Sequence, residues 1–130
     1  MESGALVLSL DFELYWGVRD KRSLDDCRER MVGVHRAIPR ILSLFSRYNV
    51  HATWATVGFL FFRDAQELLR NIPSLVPSYT DQSLCPYSYV NANGAKENDL
   101  HFAPTLVDEI ASTKGQEIGT HTLSHYYCLE

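Results

Sequence analysis

An α/β fold with a parallel sheet is what this sequence of 130 residues predicts, and three observations predict it. Strand-like and helix-like runs alternate in the order strand, helix, strand, helix, strand. The first of them, "ALVLSLD" at 5–11, is apolar and ends in an acid. A buried parallel strand looks like that where its carboxyl end meets solvent. The third observation is one of place: Asp11 and Glu13 close the first strand-like run, and His121 follows the last. Ligands of parallel sheets sit at that carboxyl-end rim.

The elements follow in order. After the first strand, residues 12–23 mix aromatics, charges and a glycine and predict a loop. "SLDD" at 23–26 supplies an N-cap serine with acids in the first helical turn. Ile38, Ile41, Leu42 and Phe45 repeat at helical spacing, with Pro39 among them. Proline sits poorly inside a helix, so one helix is expected to end before Pro39 and another to begin around it. "NVHATWATVGF" predicts the second strand, closed by Gly58, and "RDAQELLRNI" a short amphipathic helix. From Pro73 to Pro104 no period is sustained, which predicts a long irregular segment whose aromatics form one wall of a cleft. Within it, "NANG" at 91–94 predicts a turn. "APTLVDEIASTKG" is a helix with a glycine stop, and "QEIGT" a third short strand.

Bulk properties bound the function. The chain is one domain's worth, 1–130, and long enough to bury a core. An apolar fraction of 45% and a charged fraction of 22% describe an ordinary globular protein. The net charge of −4 and the lack of any basic run argue against nucleic acid as the partner. "MESGALVLSL" has neither the positive start of a signal peptide nor the length of a membrane span. The mature protein is therefore expected to begin near Met1 and to stay in the cytoplasm. Cys27, Cys85 and Cys128 are odd in number and widely spaced, as free thiols of a reducing compartment are.

The chemistry lies in "GTHTLSHYY" at 119–127 and "LDFE" at 10–13. On a helical turn, His121 and His125 would share a face, with Cβ atoms about 6 Å apart. Two such imidazoles can converge on one ion at about 2.0–2.1 Å. In an extended strand Asp11 and Glu13 point to one side and can address one cavity. If one carboxylate ligates, two histidines and an acid make a three-ligand site with a position open for water. The other carboxylate is then free to accept a proton. The plain alternative is that the histidines cap or pack and the acids are solvated strand ends. That both alternatives hold at one rim is the weaker explanation.

"LSLDFE", "HATWATVG" and "QEIGTHTLSH" together resemble the first three landmarks of the NodB-homology polysaccharide deacetylases, carbohydrate esterase family four. His121, Thr122 and His125 match the family's H-[ST]-x-x-H motif residue for residue, and the resemblance covers roughly residues 5–128. It implies a distorted (β/α) barrel, of which this chain would be the amino-terminal half. It also implies a divalent metal, zinc first and cobalt or nickel as alternatives, and hydrolysis of N-acetyl or O-acetyl groups on a saccharide. Carried over, Asp11 is the catalytic base, Glu13, His121 and His125 are metal ligands, and Thr122 is a supporting residue at the substrate side.

Two departures bear on this. Phe12 separates the acids, where the commoner pattern has adjacent aspartates, and the family's later motifs would lie beyond Glu130. The chain alone is therefore expected to turn over poorly and to self-associate through open strand edges. Two rival readings stand beside the sugar deacetylase: a hydrolase of another small amide, and a non-catalytic domain that keeps the metal and binds a saccharide or protein. Tyr15 and Trp16 either stack on a sugar or pack internally. His51 is expected to be structural, His101 to cap a helix, and Tyr126 and Tyr127 to border the cleft or pack.

Overall fold

A computed structural model describes residues 4–93 and 95–129. Three strands, β1 (Ser9–Phe12), β2 (Ala52–Thr56) and β3 (Gln116–Thr120), form a parallel sheet in the order β1-β2-β3. Asp11 pairs with Ala55, which pairs with Gly119, so the registers of the strands are in step. The five helices described are α1 (Leu24–Tyr48), α2 (Ala65–Arg70), α3 (Pro86–Asn93), α4 (Asn98–His101) and α5 (Pro104–Ser112).

β1 is shorter than the apolar run predicted. Leu6 and Val7 are 86% and 82% exposed, because the ladder to β2 begins only at Ser9. Apolar character without a partner strand makes no sheet. Along the sheet, Leu10, Phe12, Trp54 and Ile118 face the helices and join the core. Ser9, Asp11, Thr53, Ala55, Glu117 and Gly119 lie on the other face, and none of them is buried. Parallel sheets are ordinarily covered on both faces.

α1 starts where expected. The Ser23 side chain accepts from the Asp26 N–H at 3.2 Å, and Asp25 and Asp26 meet the positive end of the helix. Asn49 ends it in the left-handed conformation, φ 51°. The expected break at Pro39 does not occur, and one helix of 25 residues runs through it. An interior proline costs about 3 kcal/mol. Ile38 and Leu42, each 3% exposed, flank it on the buried face. Burying two such side chains contributes roughly 3–6 kcal/mol, which offsets the loss.

The segment 73–104 is also more regular than its sequence suggests. It holds a 3₁₀ turn at Gln82–Leu84 and the helices α3 and α4. Residues 91–93 of the expected turn continue α3, while Gly94 lies outside the described residues, as do Met1 and Glu130. These helices are too short to show a period, yet Tyr87, Val90, Leu100 and Phe102 are all core residues.

His101 is the deepest polar group, 0% exposed, and it does not cap a helix. Its Nδ1 lies 3.0 Å from the Glu97 carbonyl and its Nε2 lies 2.9 Å from the Tyr89 hydroxyl. A carbonyl only accepts, so Nδ1 carries the proton and Nε2 accepts from Tyr89. Burial pushes the imidazole down to about 4. The unfolded chain takes up this proton near pH 6.5 and the folded one only near 4. Stability should therefore fall by about 1.4 kcal/mol per unit between those values, roughly 3 kcal/mol in all. Urea unfolding of the wild type and His101→Phe at pH 7, 5.5 and 4 tests this. The variant is expected to be weaker at pH 7 but to lose less on acidification, and equal losses in both would refute the assignment.

A candidate metal centre at the strand ends

β1 stops at Phe12, and Glu13 opens a 3₁₀ turn, Leu14–Gly17, with φ −137° and ψ −14°. Glu13 thus stands one residue past the paired strand, with its φ still extended and the turn beginning at its ψ. Its side chain makes no capping bond with the turn. It reaches across the sheet end instead. Glu13 Oε2 lies 3.2 Å from His121 Nε2 and 3.2 Å from His125 Nε2.

The histidines meet by a different route from the one predicted. No helix carries them: His121 follows β3, its N–H donating to the Thr56 carbonyl at 3.0 Å, and the chain then turns. Thr122 and His125 both adopt left-handed backbone, φ 63° and 55°. For residues with side chains that conformation costs of order 1 kcal/mol or more and recurs at functional sites. The loop is held by Thr122, whose hydroxyl accepts from the Tyr126 N–H at 2.9 Å. It is docked on the end of β2 through Gly58 N–H to the Thr122 carbonyl and Phe59 N–H to the Leu123 carbonyl, 2.9 and 2.8 Å. A Cβ on Gly58 would stand 2.7 Å from Leu123 Cδ1 and 3.0 Å from its Cα, so this approach needs glycine. Gly58 is a site residue that sequence reading took only for a strand stop. The signal available was its position one rim away from the histidines.

The donor atoms of Glu13, His121 and His125 lie within 4.8 Å of one another. Two ligands of a tetrahedral ion at 2.0–2.1 Å stand roughly 3.3 Å apart. Both 3.2 Å separations match that value, and they also lie within reach of an N–H···O hydrogen bond. His125 Nδ1 is buried without a hydrogen-bond partner. The three side chains are 24–32% exposed, open enough for an ion and a small ligand to enter. A cavity of about 290 Å³ lined by Thr120, His121, Thr122, His125, Tyr126 and Cys128 adjoins them.

Asp11 is exposed on the uncovered face of β1 and is not one of the three grouped donors. Tyr15 and Trp16 do not line the site as stacking residues. They are 5% and 1% exposed, and Trp16 Nε1 donates to the His101 carbonyl at 2.6 Å, so packing is their role. Tyr126 and Tyr127 pack on Tyr79, and Tyr127 also lies edge-on to His125. Burial, with Asp20 nearby, pushes the Tyr127 phenol up to about 12, so it keeps its proton at neutral pH. Exposed His51 lies against Gly115, before β2 and β3 begin and away from this rim. All three cysteines are free, and Cys128 Sγ faces the Tyr126 carbonyl at 3.8 Å.

No protein-family model, curated protein or solved structure matches this chain. Among the described residues no helix is long and apolar enough to cross a membrane.

Proposed function

We propose that this protein is a divalent-metal-dependent hydrolase of the polysaccharide deacetylase type, acting on an acetylamino group of a saccharide. The observation that carries this is the convergence of Glu13, His121 and His125 at the carboxyl rim of a parallel sheet. The motif resemblance of "LSLDFE", "HATWATVG" and "QEIGTHTLSH" supplies the reaction class. Two imidazoles and one carboxylate with an open position fit zinc, as they fit other divalent transition ions. Such an ion, when bound, polarises an acyl carbonyl and activates water. Asp11 is the group assigned to accept the water's proton, and Thr122 keeps both histidines in place through the loop it holds.

A barrel setting is supported by the uncovered sheet face and by the open edge of β1. There an apolar groove of about 320 Å³ runs beside Leu10, Leu14, Met31 and Ile41. Further strands would cover both.

The two acids separate the readings. Asp11→Asn should keep one zinc per chain, since no donor is lost. Glu13→Gln should weaken zinc binding, because a neutral amide is a poorer ligand for a dication. In a longer chain that also carries the later family motifs, Asp11→Asn should in addition cost about 10²–10⁴ in deacetylation of an acetylamino sugar. Full activity in Asp11→Asn would remove Asp11 from the reaction. Zinc bound without any turnover, in that longer chain as well, would leave the binding-domain reading.

A further inference from the structure

We infer that Gly17 is a positioning residue, whose missing side chain is the space in which the Glu13 carboxylate lies. The inference rests on Glu13 being a ligand, as proposed above. A Cβ built on Gly17 would coincide with the Glu13 carboxyl group, meeting Cδ and both oxygens. Glu13 therefore folds back over the last residue of its own 3₁₀ turn to reach His121 and His125. Any side chain at position 17 competes with the carboxylate for one volume.

The conflict has to be resolved by the carboxylate. Gly17 is not in the left-handed region, where only Gly115 is found among the described glycines. Its backbone thus accepts alanine. The turn itself is anchored: Leu14, Tyr15 and Trp16 are 4%, 5% and 1% exposed. Trp16 Nε1 is tied to the His101 carbonyl, 85 residues away in sequence, and the Tyr15 hydroxyl donates to the Arg22 carbonyl at 2.8 Å. Moving such a turn means moving the core, whereas the Glu13 side chain has three rotatable bonds and a solvent-open side. Alanine at 17 displaces the carboxylate from the histidines and leaves the fold.

A double-mutant cycle tests this, using Gly17→Ala, Glu13→Ala and the pair, with Gly33→Ala as control because a Cβ there meets nothing within 4 Å. Zinc affinity is measured by calorimetry and Tm without added metal. Gly17→Ala should bind zinc about 10–100-fold more weakly than wild type, the range for lost support of a ligand. In the Glu13→Ala background, where the space is free, it should have no further effect on affinity or Tm. Equal zinc affinity in wild type and Gly17→Ala overturns the inference and leaves the metal site standing. So does a Gly17→Ala penalty that persists in the Glu13→Ala background, including outright failure to fold. If the wild type binds no zinc, the metal reading fails, and crystal structures of wild type and Gly17→Ala decide this inference alone. An unmoved Glu13 carboxylate would overturn it, and a displaced one would uphold it.

Discussion

His121→Ala is expected to abolish tight zinc binding. Four-ligand structural zinc sites bind with about 10–16 kcal/mol, roughly 3 kcal/mol per ligand. Loss of one imidazole therefore costs about 100-fold or more in affinity. A thermal shift shows it directly. Zinc at 100 times its Kd stabilises the wild type by about 2.7 kcal/mol, several degrees in Tm for a chain of this size. The same concentration should stabilise His121→Ala by no more than about 0.4 kcal/mol, and the variant should fold, because His121 is a half-buried rim residue whose side chain contacts Glu13 and His125. Equal zinc-induced shifts in both proteins would show that the ion binds elsewhere and that the cluster is an ordinary surface ion pair.

Trp16→Ala carries the largest expected loss of stability. The indole is 1% exposed and meets Phe59, Tyr89, His101 and Phe102 edge-on, with ring centroids 5.0–6.3 Å apart. Truncating a buried aromatic costs about 3–5 kcal/mol. Here the change also leaves the His101 carbonyl without its donor, worth roughly a further 1–3 kcal/mol. A fall in Tm of more than about 10 °C should result. Trp16→Phe, which keeps a ring and loses only the bond and some volume, should fall between. A sugar-stacking tryptophan on an open surface would behave otherwise, with changes within about 0.5 kcal/mol and a defect confined to substrate binding. Urea unfolding of the three proteins separates the two roles.

Where a short stretch of chain sufficed, the sequence by itself determined the outcome. The Ser23 cap with Asp25 and Asp26 and the strand "QEIGT" are local patterns, set by hydrogen bonds and alternation within a few residues. That Glu13, His121 and His125 are candidate donors was legible because few residue types offer such atoms and the spacing within each motif is short. Tertiary structure decided the rest. Whether Pro39 ends a helix depended on what Ile38 and Leu42 bury against. Trp16 and Tyr15 look like cleft aromatics until the His101 carbonyl, 85 residues on, takes the indole N–H. The two acids are alike in sequence; the fold brings the Glu13 carboxylate to both histidines across the sheet end, while Asp11 sits exposed two residues earlier in β1, which ends at Phe12. Strand length is set by pairing with β2, a contact between residues more than forty apart, and no local pattern encodes it.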